Sequence, residues 1–584
     1  MRLKISTIKV SAAALLLVAG MTSCNDLDKG NIDPNVAQET TLPGLYAKCY
    51  AGLIMEGNDG GADFTIEDAG KSTLLRNIFN FNEISTDEAL CWWSDAGIVD
   101  IGFNKCVPGT ATLRFLYYRL VSNIAFCNQY ISLDEAQSDA TMLAEVRLIR
   151  AFNYFQMLDF FGDPAFVTTI SNDVPQQAHT FNAKYVEGAA YTRAELLALG
   201  REFLFNWVRD ELLAAEPNLM TPRAKTDKDA DYGRADKASA WFLLSRLYLN
   251  AGTYLNNDGQ NNPYWDKALE YAEKVIHSDY SLFDDAKKAA ISSTLTASAR
   301  SYYDDYEPYD LLFMGDNGSN GASCEAILPL LQDGKKTKGW GGSLFFIAAL
   351  WNPDMYNVIG LPAGTTGNNW AGMRVRPQLL EKFTSNPASF VNKTTADIRD
   401  MRIDDRALFW GQGNANEKRT LDLGDNSNFF QGLTSTKWNN NYSTGADPHD
   451  SYDVDIDFFL FRLAEMYLNA AEADMHINGE GSAKAKAYID ALKNRAHAAS
   501  VKSSYTLEDV LDERARELYL EGVRRPDLIR YNKFGGLNAD YIWDYKGGYA
   551  NGGNFDKTRN VYPIPSSEIL ANSNLTQIDG YYAE

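Results

Sequence analysis

The chain has 584 residues, of which 45% are hydrophobic and 12% aromatic, with 77 acidic against 55 basic side chains and a formal charge of −22. A field of that sign repels phosphate backbones and anionic lipid surfaces, which argues against a nucleic-acid partner and leaves neutral ligands unpenalised. Carbohydrates are the large neutral class that is also met by aromatic rings.

The N-terminus reads as an address. Arg2, Lys4 and Lys9 precede an apolar run, Val10 to Gly20, that is too short to span a bilayer. Met21-Thr22-Ser23-Cys24 follows, and then the polar run Asn25-Asp26-Leu27-Asp28. The whole resembles a bacterial lipoprotein signal over residues 1–23, with Cys24 acylated at the head of a single body, 24–584. Each buried CH₂ of an acyl chain contributes ~0.8 kcal/mol, so a multiply acylated cysteine tethers a protein without a spanning helix. Five cysteines remain, Cys49, Cys91, Cys106, Cys127 and Cys324. Their odd number and the lack of CxxC spacing favour buried thiols over a disulfide framework or a zinc site.

Residues 83–97, Glu-Ile-Ser-Thr-Asp-Glu-Ala-Leu-Cys-Trp-Trp-Ser-Asp-Ala-Gly, place two tryptophans side by side. Adjacent side chains point to opposite faces of a strand and diverge by about 100° in a helix, so a core takes one more readily than both. The expectation is that Trp92 fixes the loop and Trp93 faces solvent. Ala144 to Phe161 reads as a helix. Arg234 to Ala251 and Trp265 to Ile276 form a pair, and Phe461 to Ala470 with Ala483 to Leu492 form another. Both pairs carry Tyr-Leu-Asn-Ala (248–251 and 467–470) in the first member and Lys-Ala-x-x-Tyr (267–271 and 484–488) in the second. Small Ala at a contact lets helices approach and Tyr fills the groove beside it, the logic of a tetratricopeptide-type hairpin. Leu507 to Tyr531 reads as a further helical stretch. Glu513, Glu517 and Glu521 recur there at every fourth residue among Arg514, Arg516, Arg524, Arg525 and Asp527, a pattern read as an ion-pair network rather than a catalytic acid pair. The predicted fold class is all-α, four tetratricopeptide-like hairpins at about 110–165, 195–280, 458–500 and 505–532. Loop-rich segments with a few short strands, about 55–105, 281–450 and 532–584, would carry the ligand site.

Signs of catalysis are sparse. The five histidines sit in no HExxH or HxH frame, and there is no GxSxG elbow and no phosphate-binding GxxxxGK[ST] loop. A glycosidase needs only two carboxylates roughly 5–10 Å apart, and no pair of acids is marked out.

Three stretches point to one family. Glu145 to Gly162, Glu513 to Arg530, and Tyr562-Pro-Ile-Pro-Ser-Ser-Glu-Ile569 with Asn574-Leu-Thr-Gln577 resemble, in turn, the signature helix, late helix and C-terminal turn of SusD/RagB-type outer-membrane lipoproteins. The resemblance is strongest to the starch-binding branch. It implies a non-catalytic lipoprotein on the outer face of the outer membrane, with no required cofactor. Such a protein binds starch or related α-glucan and delivers it to a SusC-like TonB-dependent transporter. The alternatives are another glycan, such as fructan, or another nutrient on the same fold, and a secreted glycoside hydrolase. Position by position, the resemblance assigns an arc of aromatic residues to Trp93, Trp340 and Trp370, and polar contacts to Asp68 and Arg76. Cys91 stands where an aromatic is usual and Ala96 where an amide is. It also makes Asp316, Asp455 and Asp457 candidate ligands of a structural calcium ion, whose preference for hard oxygens suits alternating carboxylates.

Overall fold

The computed structural model describes residues 41–56, 69–170, 175–179, 191–351, 355, 369–413, 419–428 and 431–581. Cys24 with the leader, and Asp68, lie outside the described residues. The chain divides into two units, Met1–Leu45 and Tyr46–Glu584. Of the first only residues 41–45 are described, and every element below belongs to the second.

Helices dominate, and the few strands pair only two by two. Helix α1 (Leu74–Phe79) runs into a π-helical turn, Asn80–Ile84, that leads to strand β1 (Ala89–Cys91). Helices α2 (Ala111–Ser132) and α3 (Ala140–Phe161) pack as a hairpin, and α4 (Arg193–Ala215) lies on α3. The Asp139 carboxylate caps α3 by accepting from the N–H groups of Thr141 and Met142 at 3.0 and 2.9 Å. Gly162, at φ +70°, ends it.

The two repeated sequence pairs become α5 (Lys237–Leu249) with α6 (Trp265–Ile276), and, further on, α7 (Leu463–Asn478) with α8 (Ala483–Arg495). In each hairpin the repeated tyrosines meet. Tyr248 stacks on Tyr271 at 5.8 Å and Tyr467 meets Tyr488 edge-on at 5.9 Å. Ala268 and Ala485, one turn before the second tyrosines, are fully buried. Helix α6 also packs on α7, where Trp265 and His476 stack at 3.8 Å, so the hairpins share a continuous core.

The stretch read as one helix from Leu507 to Tyr531 is broken. Helix α9 (Leu507–Leu518) stops, and α10 (Arg524–Arg530) restarts after a turn that holds Leu520 at φ +57° and Gly522 at φ +82°. The turn persists because acids from the chain before β1 take its backbone donors. Glu83 Oε1 accepts from Gly522 and Val523 N–H at 2.5 and 3.0 Å, and Glu88 Oε2 from Leu520 N–H at 3.1 Å. Glu521 thus leaves the helix but still joins the ion-pair network. In that network Arg406 pairs with Glu513 and Glu517 at 2.7 and 3.0 Å, Arg462 pairs with Glu517 and Glu521 at 2.7 Å each, and Lys493 pairs with Glu513 at 2.9 Å. Burial would raise the Glu517 carboxyl, but Arg495, Arg462 and Arg406 outweigh it and hold it at about 2. These acids are structural.

Among the described residues all five cysteines are free; four are buried and Cys324 is half-buried. No helix of the described residues is long and apolar enough to cross a membrane.

Candidate glycan-binding site

Strand β1 pairs antiparallel with a strand at Met373–Val375, Cys91 opposite Met373, and the ladder continues as Trp92 N–H donates to Gly372 O at 3.1 Å. The extended chain then sends Trp92 and Trp93 to opposite sides, and each side has a pocket. Trp92 donates its indole N–H to Leu423 O at 3.1 Å and packs edge-on against Phe103 and Tyr545, fixing three loops together. Trp93 donates to Ala371 O at 2.8 Å and lies against Phe345 and Trp370.

The core therefore takes both tryptophans, each 8% exposed. This corrects the expectation that Trp93 faces solvent. Its polar edge is spent on Ala371 and its ring is the floor of the site. The seat depends on a glycine: a Cβ at Gly372, which has φ +101°, would lie 2.0 Å from Trp93 Nε1.

The three predicted rings do gather. Trp93 and Trp370 stand 6.0 Å apart and inclined at 59°, and Trp370 and Trp340 stand 6.3 Å apart and inclined at 50°. Exposure grows along the row: Trp93 is buried, Trp370 is partly exposed, and Trp340 is 62% exposed. Trp370 is held from behind, its N–H donating to Ala348 O at 2.8 Å at the end of the apolar helix Ser343–Leu350. Trp340 N–H reaches Glu56 Oε2 at 3.2 Å, and the next residue receives Thr73 Oγ1 at 2.9 Å on its carbonyl. Trp93 is thus set by its indole N–H on a backbone carbonyl and by its ring neighbours, and Trp370 and Trp340 by their backbone N–H groups.

Arg76, predicted at the polar edge, is 5% exposed, and its guanidinium lies over Phe345 at 4.5 Å and Trp93 at 5.7 Å. A cation against the buried side of an indole is a favourable cation–π contact and stiffens the floor. Cys91 is buried inside the β1 ladder and Ala96 is exposed. A pair that spacing did not single out, Lys71 and Asp95 at 2.5 Å, is part-exposed and adjoins the row through Gly70, which packs on Trp340. Phe345 was likewise missed. Lys71 stands between Asp68 and Arg76 in sequence and Asp95 two residues after Trp93, so proximity to predicted residues was the only signal for the pair.

Protein donors hold each of the calcium candidates. Asp455 accepts from Gly334 N–H, His449 N–H, His449 Nδ1 and Tyr442 OH, at 2.8 to 3.2 Å. Asp316 takes Ser443 N–H and Oγ on one oxygen and Asn320 on the other. Asp457 takes Gln332 N–H and Tyr232 OH, both at 2.8 Å, and burial pushes its carboxyl up to about 7. These donors fill both oxygens of Asp455, whereas Asp316 Oδ1 and both Asp457 oxygens keep a lone pair, and Asp333, His449 and Asp455 bring ligand atoms within 4.8 Å of one another. These acids pin loops together.

The SusD family model matches residues 324–581. The starch-binding protein SusD of Bacteroides thetaiotaomicron is 34% identical, with 98% of each chain covered. The chain belongs to the SusD family. Its fold recurs in a SusD-like carbohydrate-binding protein from Bacteroides fragilis, at a TM-score of 0.63, 16% identity and coverage of 92% of this chain and 99% of that one. It recurs also in surface glycan-binding protein A from Bacteroides thetaiotaomicron, solved in complex with laminarihexaose, at a TM-score of 0.58, 17% identity and coverage of 93% and 100%. The family is one of non-catalytic binding proteins, so the glycoside hydrolase alternative falls.

Proposed function

We propose that this SusD-family protein binds glycan on the row Trp93, Trp370 and Trp340, and that its ligand is starch or a related α-glucan. The observation that carries the reading is the step from Trp370 to Trp340. Two plates 6.3 Å apart and inclined at 50° grade from partly exposed to 62% exposed beside a buried third. A pyranose ring offers an apolar C–H face that meets the flat face of an indole, and plates set at an angle follow a curved chain better than a flat one. Lys71 and Asp95 would meet sugar hydroxyls, and the family resemblance assigns a polar contact to Asp68, which lies outside the described residues. The 34% identical relative is named for starch binding, which favours α-glucan over the laminarihexaose held by a more distant neighbour.

The same reading makes Cys24 the lipid anchor on the outer face of the outer membrane, and a SusC-like TonB-dependent transporter the acceptor of the bound sugar. Calorimetry with maltoheptaose, laminarihexaose, a xylogluco-oligosaccharide and an inulin-type fructan tests the specificity. Maltoheptaose is expected to bind and to lose measurable heat on Trp340→Ala. Preference for another member of the panel overturns the α-glucan assignment, and silence across all of them overturns the site.

A further inference from the structure

Most buried arginines here make several hydrogen bonds even where one nitrogen is unmatched, as Nη1 of Arg376 is among the described residues. Arg376, which lacks an acid partner, donates to the carbonyls of Ala89, Gly102 and Ile84 at 3.0 to 3.2 Å. Arg201, on α4, is different. It is 4% exposed, yet its one hydrogen bond is a long one, Nη1 to Thr253 O at 3.4 Å, and its Nε has no partner among the described residues. The nearby acid is already taken: Asp159 accepts from Arg525 Nη1 at 2.8 Å and from Tyr254 OH at 3.0 Å. No carboxylate of the described residues pairs with Arg201. A buried guanidinium left so poorly matched costs several kcal/mol unless something satisfies it.

Arg201 lines a cavity of about 330 Å³ between the first turns of α4, the helix Ala251–Asn256 and the C-terminal segment. Leu197, Ala198, Leu255, Val561 and Ile578 give it apolar walls, and Tyr254, Asn256 and Asn257 also line it, the Asn256 amide donating to Asn261 O at 2.6 Å. The acids at its edge are engaged on their own chain, Asp556 capping Thr558 N–H at 2.9 Å and Asp579 accepting Gly580 N–H at 3.1 Å. Lys557 stands at the same edge, half-buried, with its ammonium on Asn257 O. The volume lies at the small end of ligand pockets, room for one ring rather than a chain. A planar guanidinium fork matches a carboxylate two bonds at a time.

We infer that Arg201 and this cavity form a second ligand site, separate from the tryptophan row, for a carboxylate-bearing molecule no larger than a monosaccharide. The bound carboxylate would supply the counter-charge that Asp159 gives to Arg525. Burial lowers the Arg201 guanidinium to about 10, so it stays charged at neutral pH. A hexuronate would set hydroxyls against Asn256 and Asn257, whereas an aliphatic acid would use the apolar walls alone.

The test is titration of the purified protein with D-glucuronate, butyrate, D-glucose and inorganic phosphate, followed by calorimetry and thermal shift. At least one of the two carboxylates is expected to bind one-to-one with a Kd below about 1 mM, and glucose is expected not to. Arg201→Met should weaken that binding by roughly 10- to 100-fold while keeping helicity. Ala198→Phe, which fills the cavity without touching the guanidinium, should do the same. Trp340→Ala should leave it unchanged, which separates this site from the proposed glycan row. The assignment is overturned by absence of carboxylate binding, by phosphate binding alone, or by binding that survives both Arg201→Met and Ala198→Phe.

Discussion

Trp93 and Gly372 are built for each other: the indole edge that donates to Ala371 at 2.8 Å occupies the space where a Cβ on residue 372 would stand. The position is doubly restricted, because its φ of +101° also disfavours any L side chain. Gly372→Ala should therefore move Trp93 off its seat. The expected outcome is a melting temperature lowered by the equivalent of a few kcal/mol and a shifted tryptophan emission, with weaker glycan binding as a consequence. A variant with the melt and emission of the parent would show that the turn has slack.

The grading of exposure along the row separates support from contact. Trp340→Ala removes a ring that is 62% exposed, so its stability effect should stay within about 0.5 kcal/mol while glycan binding falls. Trp93→Ala empties a buried site beneath Phe345, Arg76 and Trp370 and should cost about 3–5 kcal/mol in urea unfolding. Equal effects of the two on stability would mean that the row is uniformly buried in solution.

Asp316, Asp455 and Asp457 offer a cheap decision on metal dependence. Protein donors already hold the loops that these acids pin, so a chelator such as EDTA should leave the melt unchanged, and added Ca²⁺ should not raise it. Asp455→Asn, by contrast, should destabilise, since Gly334, His449 and Tyr442 all donate to the carboxylate it replaces. A melt that collapses on chelation would show that an ion holds these loops.

Much of this was legible in the residues, and the failures have physical causes. Paired Tyr and Ala at helical spacing announced both repeat hairpins, because a small residue beside a large one is what close helix contact requires. The helix Ser343–Leu350, Ser-Leu-Phe-Phe-Ile-Ala-Ala-Leu, escaped notice because all of it is buried and it has no polar face to give a period. The break after Leu518 was hidden because its cause, Glu83 and Glu88, lies more than four hundred residues away in sequence. The same is true of Trp93. Local pattern could say that two adjacent indoles diverge, but only the arrival of Phe345 and Gly372 from a distant segment makes a pocket for the second.

The acids that hold that break carry a pH signature. Burial raises Glu83 to about 7 against an ordinary 4.5, and burial together with the neighbouring Glu83 charge raises Glu88 well above its usual range. Both folded values exceed the unfolded ones, so between roughly pH 4.5 and 7 the folded state binds more protons and stability falls as pH rises. Glu83→Gln keeps an oxygen for the Gly522 and Val523 N–H groups and offers Glu88 an amide donor in place of the proton. Melts taken from pH 5 to 8 should slope downward less steeply in the variant. An identical slope in both proteins would remove this pair as its source.

Arg406 is fully buried among Asp404, Glu513 and Glu517, with nitrogen–oxygen separations of 2.7 to 3.0 Å. Replacing it by methionine strands those carboxylates with one cation fewer in a place water does not reach. Removing one partner of a buried cluster costs about 3–5 kcal/mol, because the remaining charge is left uncompensated. Arg223 also pairs with two acids, Asp229 and Asp231, at 3.0 and 2.7 Å, but at the surface, where solvent screens the attraction. Urea unfolding of Arg406→Met and Arg223→Met should therefore diverge, with a large drop in midpoint for the first and none resolved for the second. If Arg406→Met unfolds at the parent midpoint, the buried acids must be taking up protons instead, and the loss should then appear as a midpoint that changes with pH where the parent's does not.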